Sequence, residues 1–310
     1  MGPLMQPDII AYGEPMIEFN QTGGAGSRNY LQGFGGDTSN AMIAAARQGA
    51  KAGYLTALGD DPYGAMFRAL WSAENVDFSR VKTDSGAPTA VYFVTHDEKG
   101  HHFSFFRKGS AASLYAPQDV PVEYIAGGKI LHVSGISLAI STSACDAGFA
   151  AMEAARAHGV RVSLDTNLRL KLWPKTRARA TLTEAMRLTD IALPSYDDII
   201  AMGGPAEPDR IIDEILALGP AIVALKMGSE GAIVADRTRR VKVPPHPCRP
   251  VDATGAGDCF GGSFLARLAA GDDMVAAARY AGVAAALQTE GYGAVEPIPR
   301  AERVMAALKA

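Results

Sequence analysis

The sequence predicts an α/β fold: a mostly parallel central sheet covered by helices on both faces, with a small β lid inserted into it. Three observations predict this. Short apolar runs rich in β-branched residues recur along the chain, and amphipathic stretches of helical period lie between many of them. That alternation is the pattern of strand–helix–strand units, whose parallel strands are buried on both faces. A further set of three runs interrupts the alternation, the last two with no long helix between them, as antiparallel strands would.

Taken in order, Asp8–Tyr12 is expected to open the central sheet, and Met16–Asn20 to leave it for the lid. The small residues of Thr38–Gln48 recur at helical spacing, so a helix is expected before the next strand, Ala52–Thr56. A helix over Gly64–Asn75 leads to two lid strands, Thr89–Thr95 and His102–Arg107, joined by the turn sequence Asp97-Glu98-Lys99-Gly100. Regular alternation then resumes. Strands are expected at Ile130–Val133, Arg161–Leu164, Asp190–Leu193 and Ile222–Lys226, and helices at Ala144–His158, Thr176–Thr189 and Asp209–Leu218. Two Ala-rich helices, Gly257–Ala270 and Met274–Thr289, close the pattern, their small side chains suited to close packing. No linker or repeat divides the chain, so one domain over residues 8–310 is expected, with lid strands at about 15–33 and 89–107 inserted in it.

Composition narrows the chemistry. The chain has 310 residues, 48% of them hydrophobic and 20% charged, and a formal net charge of −3, with no long basic or acidic run. Neither a nucleic acid nor a membrane surface is the expected partner; a small ligand met by a few placed cations is. Cys145, Cys248 and Cys259 are odd in number and widely spaced, which argues against a disulfide framework and structural zinc and points to a cytoplasmic location. The start, MGPLMQPDIIAYGEP, lacks the basic and apolar regions of a signal peptide. His96, His101 and His102 near the expected turn have no carboxylate or cysteine spacing that recommends a metal site.

The most informative stretch is Val251-Asp252-Ala253-Thr254-Gly255-Ala256-Gly257-Asp258-Cys259-Phe260-Gly261-Gly262. It runs from a loop into a helix. Gly255 and Gly257 allow backbone to approach a ligand, and the amides of Gly255, Ala256 and Gly257 at a helix N-terminus suit a phosphoryl group. Asp258 falls in the first turn beside this anion hole, placed to take a proton from an attacking hydroxyl. The same residues could equally be a loop with a carboxylate stabilising the helix dipole. A Walker A spacing is absent, and no glycine fingerprint follows the first strand as a dinucleotide-binding oxidoreductase needs.

Three separated motifs decide between these readings. Gly35-Gly36-Asp37-Thr38-Ser39-Asn40, Gly59-Asp60-Asp61-Pro62-Tyr63-Gly64 and Asp252-Ala253-Thr254-Gly255-Ala256-Gly257-Asp258 resemble, in order and spacing, the PfkB carbohydrate kinases. The resemblance spans essentially the whole chain. It implies a ribokinase-like αβα sandwich with a β lid, ATP and Mg2+, and phosphorylation of a sugar hydroxyl. It also implies roles by position. Asp258 would be the base, Gly255, Ala256 and Gly257 the anion hole, and Gly35, Gly36 and Asn40 would lie against the sugar. Leu225-Lys226-Met227-Gly228-Ser229-Glu230-Gly231 is similar to the family's nucleotide segment, with Lys226, Gly228 and Gly231 near the nucleotide. Asp252 matches a position that helps hold a monovalent cation, potassium, in many relatives. Many members carry Asn-x-x-Glu where this chain has Ser195-Tyr196-Asp197-Asp198, so Ser195 is expected near the nucleotide and Asp198 at the Mg2+.

Within the family, Gly13-Glu14-Pro15, the segment Phe105-Phe106-Arg107-Lys108-Gly109-Ser110-Ala111, Leu131–Ile136 and Val162–Arg169 with Leu172-Trp173 resemble 2-keto-3-deoxygluconate kinases. A sugar acid needs a cationic partner, and Arg107 from the lid with Arg169 from the loop after Arg161–Leu164 would form a clamp. Phe105 and Phe106 stand where tyrosines often contact the sugar, and Tyr92 on the preceding lid strand is a further candidate. Fructokinase, or another ketose kinase, is the alternative, and a non-catalytic sugar-binding relative a more distant one. A homodimer through the exposed lid is expected, because edge strands invite pairing.

Overall fold

The chain opens on β1 (Ile9–Tyr12), four residues that are all buried because they run through the middle of a sheet covered on both faces. The computed structural model describes residues 6–98 and 100–309, so Lys99 of the expected turn and Ala310 of the expected domain lie outside the described residues. After β1 the chain forms a hairpin, β2 (Met16–Thr22) and β3 (Asn29–Gly35). It continues through α1 (Asp37–Arg47), β4 (Ala52–Leu55), β5 (Ala57–Gly59), α2 (Pro62–Ala73), β6 (Val76–Asp77) and β7 (Lys82–Asp84). A second hairpin, β8 (Val91–Asp97) and β9 (Gly100–Phe106), is followed by α3 (Val122–Ala126), β10 (Ile130–Ser134), α4 (Gly135–Ala139) and α5 (Thr142–Ala157). Next come β11 (Arg161–Asp165), α6 (Lys175–Arg187), β12 (Ile191–Leu193), α7 (Tyr196–Met202), α8 (Pro208–Leu218) and β13 (Ile222–Lys226). The last elements are β14 (Ala232–Ala235), β15 (Arg240–Val243), α9 (Ala256–Ala269), α10 (Met274–Gln288) and α11 (Ala301–Ala307).

Among the described residues, nine strands make the large sheet in the order β15-β14-β13-β12-β11-β10-β1-β4-β6. The seven from β13 to β6 are parallel; β14 and β15 join antiparallel at one edge. Side chains alternate across it. Ile9 and Ala11 enter one apolar core with α1, α9 and α10, while Ile10 and Tyr12 enter another with α5, α6 and α8. Helix starts follow ordinary chemistry: Asp61 accepts from Gly64 N at 2.7 Å ahead of Pro62, and Ser141 accepts from Ala144 N at 2.9 Å.

The small sheet has the order β3-β2-β8-β9. It differs from the expected all-antiparallel lid, because β2 and β8 are parallel. Parallel neighbours need a long crossover, and the stretch from β3 to β7 provides it. Strand β3 lies mostly within the expected lid limits of about 15–33 and ends two residues beyond them; no strand was expected at this place, because NYLQGFG with its two glycines lacks a strand-like run of apolar residues.

Candidate active site

The parallel strands of the large sheet all end at one edge, and five of them lead there to polar or glycine residues. There β1 runs into Gly13 and Glu14, β10 ends on Ser134, β11 on Asp165, β12 leads to Ser195 and β13 stops at Lys226. Successive strands are added outward in opposite directions from β1 and β10, and ligands of open α/β sheets bind outside the carboxyl ends at such a switch point.

The N-terminus of α9 faces this edge. Gly255, its N-cap, has φ +79°, and a Cβ there would lie 3.1 Å from Ala294, so both conformation and space favour glycine. The expected anion hole changes in one detail. Ala256 N donates to Ala253 O at 3.1 Å, whereas the amides of Gly255, Gly257 and Asp258 find no acceptor among the described residues. Lys226 adds positive charge, since its Nζ stands 3.5 Å from the place a Cβ on Gly257 would take. The same Nζ donates to Asp165 Oδ2 at 2.5 Å.

Asp258, one residue on, accepts from Asn40 Nδ2 at 2.9 Å through Oδ2. This contact between residues far apart in sequence exists because α1 and α9 touch through backbone: a Cβ on Gly262 would collide with the Ala41 carbonyl. Burial pushes the Asp258 carboxyl up to about 8; the charges of Asp37 and Asp165 add to this, while the Asn40 bond and Lys226 oppose it. A carboxyl so tuned is a good proton acceptor. Asn40 Oδ1 is buried with no partner and is free to accept from a ligand hydroxyl.

Toward α1 the site is lined by carboxylates. Asp37 accepts from Thr38 N at 2.9 Å and from Asn167 Nδ2 at 2.8 Å, and burial raises its pKa, with the Asp165 charge adding and that of Arg169 opposing. Gly36, φ +113°, would place a Cβ 2.5 Å from Glu14 O, and one on Gly35 would stand 2.6 Å from the Tyr92 hydroxyl. Close packing within the protein therefore accounts for both glycines. Tyr92 donates to Glu18 and stacks on Phe105 with centroids 5.5 Å apart. Arg107 lies over the Phe105 ring, 5.7 Å from its centroid, and pairs with the fully buried Glu14 carboxylate, which also accepts from Ser110 Oγ at 3.3 Å. Its Nε is buried without a partner. Arg169 is exposed, with Nη1 donating to Leu168 O at 2.8 Å. The two arginines do not form a ready clamp: one is neutralised by Glu14 and the other stands at the rim.

Toward β12 and β13, where the nucleotide is expected, Ser195 caps α7, accepting from Asp198 N at 3.3 Å. Asp198 Oδ2 accepts from Thr166 Oγ1 at 2.9 Å and Leu168 N at 3.1 Å, so this carboxylate pins the loop that carries Asn167 and Arg169. Burial raises the pKa of Asp198. Gly228 and Gly231, at φ +58° and +88°, form the turn after Lys226, closed by Met227 N to Gly231 O at 2.8 Å. Among the described residues there is no cluster of three or more His, Cys, Asp or Glu suited to a metal. Isolated carboxylates fit a Mg2+ that keeps waters and phosphate oxygens as its main ligands, with Oδ1 of Asp198 the available protein oxygen. Asp252 is occupied otherwise: Oδ1 accepts from Thr254 N at 2.9 Å and Thr254 Oγ1 at 2.6 Å, and Oδ2 from Gly293 N at 2.9 Å.

Sequence reasoning assigned no roles to Glu14, Asp37, Thr166 and Asn167. Their common signal was position, since polar residues just after a buried parallel strand reach the ligand edge.

The profile described as "pfkB family carbohydrate kinase" matches residues 6–301. The 2-dehydro-3-deoxygluconokinase of Thermoproteus tenax is 33% identical over 316 residues, 97% of this chain and 94% of that protein. The probable fructokinase-4 of Arabidopsis thaliana is 30% identical over 320 residues, 97% of this chain and 96% of that one. A solved E. coli protein described as a candidate Ribokinase II, in complex with ATP and Mg2+, superposes with a TM-score of 0.90 at 26% identity, over 98% of this chain and 99% of its own.

Proposed function

The chain belongs to the pfkB family of carbohydrate kinases and is a phosphotransferase acting on a sugar hydroxyl; from that premise we propose that it transfers the γ-phosphoryl of ATP to the C6 hydroxyl of 2-keto-3-deoxygluconate. The product is 2-keto-3-deoxy-6-phosphogluconate. The observation that carries the chemistry is the half-buried Asp258 held by Asn40 in the first turn of α9, next to unpaired amides and Lys226.

As the C6 oxygen attacks the γ-phosphorus, its proton passes to the Asp258 carboxylate. The new O–P bond forms as the bond to the ADP oxygen breaks, in line. The amides of Gly255, Gly257 and Asp258 and the Lys226 ammonium face the charge on the transferring group. Asn40 keeps the carboxylate aimed and offers Oδ1 to a sugar hydroxyl. Bound Mg2+, with Asp198 beside it, would neutralise phosphate charge. Ser195, Lys226, Gly228 and Gly231 follow strands that end at the same edge, which supports the nucleotide lying there.

The sugar acid is supported by Arg107, whose Nε is an unused buried donor, and by Arg169, whose charge reaches Asp37. Relatives named 2-dehydro-3-deoxygluconokinase at 29% and 33% identity point the same way. Fructose phosphorylation is the second reading, favoured by the Glu14 carboxylate already paired with Arg107. Arg169→Ala separates them. It should lower kcat/KM for the sugar acid by about tenfold or more, the worth of one charge-assisted contact, and leave fructose turnover nearly unchanged. Equal losses on both acceptors would remove Arg169 from carboxylate recognition.

The small sheet, which carries Tyr92, Phe105 and Arg107, acts as a lid in this reading. Its exposed Leu31 (67%) and Phe106 (64%) support pairing of two copies, measurable by light scattering. Three free cysteines support a reducing, cytoplasmic setting, and among the described residues no helix is long and apolar enough to cross a membrane.

A further inference from the structure

The anion hole is fastened from behind by a set of hydrogen bonds that the phosphoryl chemistry above does not use. Asp252 takes up three donors, two from Thr254 and one from the Gly293 amide. Gln288, fully buried in the last turn of α10, donates Nε2 to Thr254 O at 2.6 Å and to Gly293 O at 3.3 Å. The amides of Val251 and Asp252 both donate to Thr289 O, at 2.7 and 3.0 Å. Ala294 then abuts Gly255, and Arg47, paired with Glu74, holds the carbonyls of Val295 and Ile298 at 3.0 and 2.6 Å. A continuous set of contacts thus runs from α1 and α10 to the residue that starts α9.

The position of Asp252 implied a potassium ion here. Such an ion is held by several oxygens whose lone pairs converge on one point. The donor set does not fit. Both Asp252 oxygens already accept, and the carbonyls of Thr254 and Gly293 face an amide nitrogen. An amide NH2 has two N–H bonds and draws two carbonyls together without an ion. Gln288 Oε1 is buried without a partner; turned around, it would oppose two carbonyl oxygens with no proton between them, an arrangement that would need a cation or a bridging water.

We propose that the Gln288 side chain stands in for the monovalent cation: it ties the Thr254 loop to the Gly293 loop, so the anion hole forms without potassium, and Gln288 is a positioning residue for phosphoryl transfer. The proposal rests on the kinase reading but not on the choice of sugar.

The test compares initial rates in potassium, sodium and tetramethylammonium chloride at equal ionic strength, with Mg-ATP and whichever acceptor turns over, alongside thermal unfolding midpoints in the same salts. Equal rates and midpoints are expected. Potassium-specific activation above about twofold, or a potassium-specific rise in midpoint, would overturn the proposal, because an ion bound only by the folded site stabilises it. Gln288→Ala should lose kcat by about tenfold with little change in the sugar KM, and potassium should restore part of it. A variant with wild-type kcat, or a loss that potassium leaves unchanged, would reduce Gln288 to a packing role and also overturn the proposal. If the variant does not fold, the wild-type salt series decides. If neither acceptor turns over, the choice of sugar fails, and the unfolding midpoints still decide this proposal.

Discussion

In the proposed mechanism Asp258 is both the base and a carboxyl with a raised pKa, and both depend on pH. Its folded pKa of about 8 lies above the ordinary 3.8, so the native state holds a proton between these values that the unfolded chain has released. Stability contributed by this proton is fully present below pH 3.8 and is lost as pH rises to about 8. Asp258→Asn should therefore abolish turnover, by a factor on the order of a thousand or more, yet flatten this part of the stability profile and unfold at a higher temperature than wild type at pH 8. In the wild-type enzyme kcat/KM should climb with pH up to about 8 as the carboxylate ionises; a flat profile from pH 6 to 9 would contradict the assignment. Arg107→Met poses a different residue-scale question. It would leave the fully buried Glu14 carboxylate without its cation, a loss of about 3–5 kcal/mol in denaturant unfolding. A loss near zero would mean that Glu14 becomes neutral at little cost.

At the scale of elements, the decisive contact is α1 against α9. Gly262 in the GDCFGG run allows it, and the approach there lets Asn40 reach Asp258. Gly262→Ala should cost about 1–3 kcal/mol through overpacking and lower kcat more than the sugar KM, as the helices separate and the base loses its partner. Unchanged kcat in a folded variant would show that the base does not need that support. The same contact shows what was legible in sequence. The parallel strands, the long helices and the GAGD turn each follow from local patterning. Short β14 and β15 and glycine-containing β3 are held by pairing with neighbouring strands more than by their own pattern, and the parallel pairing of β2 with β8 joins segments distant along the chain; local pattern encodes neither. Site roles divide similarly. Asp258 and Lys226 could be picked out from motifs, whereas the commitment of Arg107 to Glu14 and of Asp198 to the Thr166–Leu168 loop emerges only from packing.

For the whole molecule, the proposed base and anion hole at the start of α9 and Lys226 at the end of β13 stand at one edge of the large sheet, while the small sheet carries Tyr92 and Phe105 and leads into Arg107. In the proposed reading chemistry and sugar recognition are carried by different parts, which is consistent with relatives of similar identity bearing the names of different sugar kinases. In the proposed function, specificity would depend on whether a substrate carboxylate can draw Arg107 partly from Glu14 and meet Arg169. The most direct measurement is ATP consumption by the purified protein with Mg2+, offered 2-keto-3-deoxygluconate and fructose in parallel under the same conditions. The account predicts a kcat/KM for the sugar acid at least about a hundredfold above that for fructose, since a site built to pair a charged group discriminates strongly against its absence; equal or greater activity on fructose would contradict it.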